Sequence, residues 1–289
     1  KPELAYHCFL CGTCGCVCPK GIDGKEIALD SRRKLVEDGG GKLLDNSYDG
    51  LLLEKNPYKF ANYRHSKKKA VFFTGCNFPS FYPKTTRKIV NELKKHGIGV
   101  AYDCCGKPIA ELGMESDEKR IISRIQSELS ERKIREVIML CPNCYAFLKP
   151  KLADVKVISI YEKLEELGIG NKNLIPEKVF LPCPDREKRE LLKMIERYTA
   201  GGLTPVENVQ CCGLGGCASV KEPELAKGMG AALKDAGERK VYSYCASCAG
   251  NLNRNGCKNV THILTEIMET YEKADIGKSM VNRIKTKFM

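Results

Sequence analysis

Residues 102–110 read YDCCGKPIA, and residues 209–217 read VQCCGLGGC. Each vicinal pair of cysteines sits inside a larger set. Cys76, Cys104, Cys105, Cys141 and Cys144 make one set; Cys183, Cys211, Cys212, Cys245 and Cys248 make the other. In both, 27 residues separate the first cysteine from the pair, and 35 residues in one and 32 in the other separate the pair from a closing CxxC. The first three members recur at a period of 107 residues, and each pair is followed by glycine, Gly106 or Gly213. A repeat of this length marks a duplicated structural unit and has to be read before any local pattern.

The apolar runs between the cysteines say what the unit is. AVFF (70–73), GVAY (99–102), EVIML (136–140) and VKVISI (155–160) are short, end at turn residues, and predict buried strands. KTTRKIVNELKKHG and DEKRIISRIQSELSERK predict helices between them. The second copy repeats the order with KVFL, PVENVQ, KVYSY and NVTHI, its second strand weakened by Pro205 and Asn208. Strands alternating with helices give an α/β fold: two tandem pseudo-symmetric repeats with mainly parallel sheets. Every motif cysteine then falls just past the carboxyl end of a strand, where open α/β sheets bind ligands. Gly106 and Gly213 are cofactor-binding candidates, because a residue without Cβ lets the backbone turn with positive φ and lie close to a bulky group.

Three chemistries suit these cysteines. CPNC (141–144), at a strand-to-helix junction, matches a thioredoxin-like dithiol motif. Paired CxxC motifs match a zinc site. Neither uses the vicinal pair and the upstream cysteine. Five thiolates per repeat exceed what one tetrahedral ion needs and suit a polynuclear iron-sulfur cluster.

A further five cysteines crowd CFLCGTCGCVCPKG (8–21). Cys8, Cys11, Cys14 and Cys18, the last followed by Pro19, fit C-x2-C-x2-C-x3-C-P, the bacterial ferredoxin signature for a cubane [4Fe-4S] cluster. In two-motif ferredoxins the fourth cysteine serves the other cluster, so one motif leaves its own site short of a ligand. Three sources stand open: a segment upstream of Lys1, where the sequence opens without Met; Cys16; or a cysteine from elsewhere in the chain or from a partner. Cys217 and Cys257 read as buried hydrophobes.

At 289 residues and 43% hydrophobic, the chain is long enough for a real core. Seventeen cysteines, an odd number in a chain of this size, point to metal or redox chemistry rather than to a secreted disulfide framework. The net charge of +12 favours anionic partners, but with no Trp and 7% aromatic residues a stacking platform for nucleic acid is not expected. No run is long and apolar enough to span a membrane, and no signal peptide is visible, so the location expected is cytoplasmic, with membrane association only through a partner. The expected division is a ferredoxin-like helical domain over 1–60, a basic solvated linker over 61–69, and repeats over 70–172 and 173–289.

The repeated C…CCG…CxxC pattern, covering residues 70 to about 270, resembles the CCG-domain family, whose best-known member is the B-type subunit of heterodisulfide reductase. CPKGIDGKEIALDSRRKLVEDG after the N-terminal motif resembles the C-type subunit, and the fusion of the two resembles the D-type subunit. The resemblance implies that each five-cysteine set holds a noncubane [4Fe-4S] cluster, with one or two cubane clusters at the N-terminus. It implies a disulfide-reducing catalytic subunit, in which electrons pass through the cubane to two facing clusters that cleave a small anionic disulfide such as coenzyme M-coenzyme B. The partners implied are a flavin-containing A-type subunit, hydrogenase or formate dehydrogenase modules, or a membrane cytochrome b. Lys107, Arg186 and Lys221 are candidate contacts for the substrate's anionic groups, and His262 is a candidate proton donor to a leaving thiolate. The alternative is an electron-relay subunit of another multi-subunit oxidoreductase.

Overall fold

The computed structural model of the chain describes residues 2–43, 45–235 and 239–289. Among these, eight strands form two four-stranded sheets, each entirely parallel. The first sheet holds β1 (Ala70–Phe73), β2 (Gly99–Ala101), β3 (Glu136–Met139) and β4 (Lys156–Ser159) in the order β2-β1-β3-β4. The second holds β5 (Lys178–Phe180), β6 (Thr204–Pro205), β7 (Val241–Ser243) and β8 (Val260–His262) in the order β6-β5-β7-β8, the same topology again. Val71, Phe72, Phe73, Val137 and Ile138 are wholly inaccessible, as a parallel sheet covered on both faces requires. β6 is the short strand, two residues long, with Asn208 in the left-handed region at φ 60 just beyond it.

The connecting helices follow from their sequence. Pro83–Lys95 starts on proline and buries Thr85, Thr86, Ile89, Val90 and Leu93 along one face; it stops before Gly97, whose φ of 72 turns the chain back toward β2. Glu115–Glu131 carries Glu115, Asp117 and Glu118 in its first turn, where carboxylates oppose the helix dipole, and buries Ile121, Ile125 and Leu129 at helical spacing. Each such fully buried aliphatic side chain contributes roughly 1.5–3 kcal/mol.

In both sheets the switch point, where connections leave in opposite directions, lies between the two central strands, and cysteine loops surround it. One apolar core runs through both repeats. The N-terminal region contributes Tyr6, Val36 and Tyr48 to that core rather than forming a separate one. The basic stretch after it is split in two. Asn62 pairs with Tyr102, and Val100 donates to the carbonyl of His65, so the backbone of residues 62–66 is docked along β2 with Tyr63 and Ser66 buried; Arg64, His65, Lys67, Lys68 and Lys69 are exposed. The helix Ser279–Thr286 packs on the short helix Phe78–Phe81, and Asn62 Nδ2 donates to Thr286 O at 2.8 Å and Met289 O at 2.6 Å, closing the two ends of the chain together.

Candidate iron-sulfur centres

Strand ends deliver the thiols. Cys76 follows β1, Cys104 and Cys105 follow β2, and Cys141 opens the helix Pro142–Leu148 after β3 with Cys144 one turn inside it. Their thiols interact in a chain: Cys76 with Cys104, Cys104 with Cys105, Cys105 with Cys144, Cys144 with Cys141. The second repeat builds the same chain from Cys183, Cys211, Cys212, Cys248 and Cys245. The two chains meet where Cys141 contacts Cys245, and Asn143 Nδ2 donates to Cys245 Sγ at 3.4 Å across the same boundary.

The electrostatics repeat as well. Cys105 is pulled down to about 5 by hydrogen bonds from Cys104 and Cys144. Cys212 is held well below the ordinary thiol range by Cys211 and Cys248, its counterparts. The second member of each vicinal pair is thus lowered in both sets; at the closing CxxC the sets differ, Cys245 being held well below the ordinary thiol range by Cys141 and Cys248 and its counterpart Cys141 raised. Beside the chain, Gly75 has φ 69, and a Cβ there would stand 3.4 Å from Cys144 Sγ.

Both chains open onto one cavity of about 410 Å³. Cys76, Cys104, Cys105, Cys141 and Cys144 line it from the first repeat; Cys183, Cys212 and Cys248 line it from the second. Among the described residues no three or more His, Cys, Asp or Glu converge as the ligands of a single metal ion. Five contacting thiols strung along a cavity wall are too many and too extended for one tetrahedral ion, and they match the donor set of a polynuclear iron-sulfur group. The residues present fit such a group in each repeat.

The N-terminal motif is arranged differently. Leu10 at φ 47 and Gly12 at φ 73 bracket Cys11 in a tightly turned loop. Cys11 contacts Cys211 of the second repeat, and hydrogen bonding from Cys211, with Thr13 and Arg186 nearby, holds it down to about 4. Cys14 and Cys16 are exposed; Cys8 and Cys18 are half-buried.

The other predicted site residues fall in distinct places. Lys107 lines the cavity and pairs with Glu111, within electrostatic reach of Cys183 and Cys105. Arg186 is spent on the protein itself: it donates to Cys11 O at 3.1 Å, to Thr13 and to Gln210, with Cys183 Sγ 3.8 Å away. Lys221 lies off the cavity and pairs with Asp45. Gly106 (φ 84) and Gly213 (φ 78) have the expected positive φ, but the space a Cβ would need is taken by the Ile121 side chain and the Ala226 carbonyl. His262 is wholly buried and does not line the cavity. Its Nδ1 accepts from Leu264 N–H at 3.3 Å, as Ser159 Oγ accepts from Tyr161 N–H at 3.3 Å in the first repeat, so both residues cap the helix after the last strand. Burial pushes His262 down to about 3, leaving the ring neutral between Phe78 and Tyr82.

Several residues at the site carry no local sequence signal. Arg32 is wholly buried and joins the N-terminal loop to both repeats, donating to Ala5 O, Cys8 O, Glu111 O and Gly216 O at 2.6–3.0 Å. Glu54, Lys55, Tyr48 and Arg283 line the cavity from the two ends of the chain. Cys217, at φ 55, lines it too, half-buried, with burial pushing its thiol up to about 12.

The cysteine-rich CCG family matches residues 70–149 and 178–253, one match for each sheet. The chain belongs to the CCG family. Its relatives are distant. It is 26% identical over 280 residues, 85% of this chain and 56% of the relative, to an uncharacterised iron-sulfur protein of Methanocaldococcus jannaschii. It is 27% identical to the D-type subunit of dihydromethanophenazine:CoB--CoM heterodisulfide reductase of Methanosarcina barkeri, over 86% of this chain and 72% of that one. It is 26% identical to the B-type subunit of fumarate reductase (CoM/CoB) of Methanothermobacter marburgensis, over 79% of this chain and 52% of that one. The chain spans about half the length of the first of these and of the last. No solved structure matches it. Among the described residues no helix is long and apolar enough to cross a membrane.

Proposed function

We propose that this CCG-family chain is the iron-sulfur component of a reductase that delivers two electrons to a disulfide. The observation that carries the reading is the single cavity walled by cysteines of both repeats, with Cys141 and Cys245 in contact between them. In this reading each five-cysteine set holds a noncubane [4Fe-4S] cluster and Cys8, Cys11, Cys14 and Cys18 contribute to a cubane. Each noncubane group, when bound, supplies one electron and an iron that can take one sulfur. The chain's own part is to hold the two groups across one cavity, so that a two-electron cleavage needs no second encounter. Lys107, half-buried on the cavity wall and paired with Glu111, is the residue best placed to attract an anionic substrate such as the coenzyme M-coenzyme B heterodisulfide. The Cys11–Cys211 contact favours electrons arriving through the second repeat. The donor would be a flavin-containing A-type subunit, a hydrogenase or formate dehydrogenase module, or a membrane cytochrome b. Similarity to the D-type subunit of heterodisulfide reductase supports this reading.

Similarity to the B-type subunit of a fumarate reductase supports a second one, an electron relay whose groups never meet a disulfide. Reduced-dye oxidation separates them. With heterodisulfide or a simpler disulfide and fully loaded protein, thiol production is expected, and Cys105→Ser and Cys212→Ser should each abolish it while each keeps the other set's iron. Unchanged turnover in both variants refutes the shared site. Absence of turnover with every disulfide, in loaded protein with its native partners, favours the relay.

A further inference from the structure

Two buried cations from opposite ends of the chain meet beside the first cysteine set. Lys55 closes the helix Asp49–Lys55 of the N-terminal region, and Arg283 lies on the C-terminal helix. They share one carboxylate oxygen: Lys55 Nζ and Arg283 Nη1 each stand 2.7 Å from Glu54 Oε1. Arg283 Nη2 is fixed by Asn77 Oδ1 at 2.9 Å and Ser80 Oγ at 3.3 Å. Lys55 is only 5% exposed. Apart from the Glu54 pair and the face of the Tyr58 ring, 4.8 Å from its ammonium, Lys55 has no acceptor among the described residues, and Arg283 Nε–H has none either. Both residues line the cavity together with Cys76 and Cys104, and both act electrostatically on Cys76. A thiolate or sulfide at that wall would be an acceptor for the unmet donors.

The second set is surrounded differently. Arg186 is its near cation, half-buried, bonded to Cys11, Thr13 and Gln210, with Nη2 also donating to Cys183 Sγ at a long 3.8 Å. Two residues from Cys183, buried Asp185 accepts from Tyr244 Oη and the N–H groups of Leu191 and Leu192, and no ion pair offsets its charge among the described residues. The corresponding buried carboxylate of the first repeat, Asp103, is matched by Arg124 at 2.8 Å. Lys107 is balanced by Glu111 and sits between the sets, and Arg254 is exposed and screened by water. Beside the sets' own thiols, Glu54 offsets one of the two cations at the first set and leaves one net positive charge, whereas at the second set Asp185 offsets Arg186.

We propose that Lys55 and Arg283 hold the centre on the first cysteine set at a higher reduction potential than the centre on the second. The inference rests on the reading that each set carries an iron-sulfur group. A fixed cation in a dry site stabilises the reduced, more negative form of such a group, and nearby charge and N–H···S bonds are among the main determinants of its potential. The step it directs is a one-electron transfer: the second centre is oxidised, the first is reduced, and no atom moves. Electrons arriving beside Cys211 from the one-electron donor then run downhill across the cavity.

The test is an anaerobic, EPR-monitored redox titration of the full loaded chain, with Cys105→Ser and Cys212→Ser used to assign each signal to its set. The first-set midpoint is expected above the second. Lys55→Met and Arg283→Met should each lower it by about tenfold in the one-electron equilibrium, about 59 mV, while the second-set midpoint stays in place and Lys55→Arg restores most of the loss. An unshifted first midpoint, an equal shift of both, or a first midpoint already below the second overturns the proposal. So does loss of first-set iron in both Met variants, which would make the cations assembly residues. Protein lacking iron and acid-labile sulfide before any substitution would instead remove the cluster reading itself.

Discussion

Gly213 and Gly106 stand at equivalent positions after their vicinal cysteines, yet what crowds them differs. A Cβ on Gly213 would lie 2.5 Å from the Ala226 carbonyl oxygen, which is backbone; one on Gly106 would lie 2.8 Å from Ile121 Cγ2, the end of a side chain that can rotate. Both also have φ values that an L side chain adopts only with strain of about 1–3 kcal/mol. Gly213→Ala should therefore destabilise by more than that strain, about 3 kcal/mol or above, and Gly106→Ala by about 1–2 kcal/mol. Equilibrium unfolding in denaturant checks the ranking, and Gly106→Ala measured in an Ile121→Ala background, which lacks the crowding methyl, should cost less than in the parent, while Gly213→Ala should cost the same in both. Equal costs at the two sites would mean that strain alone sets them.

The N-terminal region is fastened to the two repeats by a buried guanidinium. Arg32 sits on the helix Gly24–Asp38 and has no carboxylate partner among the described residues; carbonyl dipoles from Ala5, Cys8, Glu111 and Gly216 take its charge. Gly216 and Gly113 let that region approach, since a Cβ on either would lie 2.6 Å from Cys8 O or the Arg32 backbone. Arg32→Met leaves buried carbonyls without donors, at about 1–3 kcal/mol each. Arg32→Lys cannot restore them, because an ammonium has fewer donors and no planar fork. Both variants should loosen the N-terminal region and expose the chain near Lys67, Lys68 and Lys69 to limited proteolysis; resistance equal to the parent would show that the apolar contacts of Tyr6 and Tyr48 suffice. The strands were readable because the period-107 cysteine pattern registers each apolar run against its copy, and even the weakness of β6 follows from Pro205 and Asn208. The cysteines of the two repeats were readable for the same reason. Arg32, Lys55 and Arg283 were not. Arg32 meets Glu111 79 positions away, Arg283 meets Glu54 229 positions away, Lys55 is tied to Arg283 only through that same Glu54, and no local spacing encodes such partners. The linker was half readable, since a run of lysines signals solvent but nothing in Tyr63 or Ser66 announces docking on β2.

Taken as one molecule, the chain places its three cysteine groups in a line. Cys11 touches Cys211, the second chain of thiols runs through Cys212 and Cys248 to Cys245, and Cys245 touches Cys141 of the first. Phe9 packs with Cys211, Ala218 and Ala226 beside the first junction, with Cys11 partly buried against them. Short junctions suit electron transfer, and this order makes the second repeat the receiving side. Cys11→Ser should therefore cut reduction of both repeats by a protein electron donor at least tenfold while leaving their iron and sulfide content unchanged. A small reductant such as dithionite should still reduce both, because the cavity between the repeats is open to it. Stopped-flow absorbance with the two kinds of donor, on the same loaded variant, measures the contrast. If protein-donor reduction proceeds at the parent rate, electrons reach the repeats by another face. If the small reductant fails as well, Cys11 supports the second centre itself and the line begins one step further in.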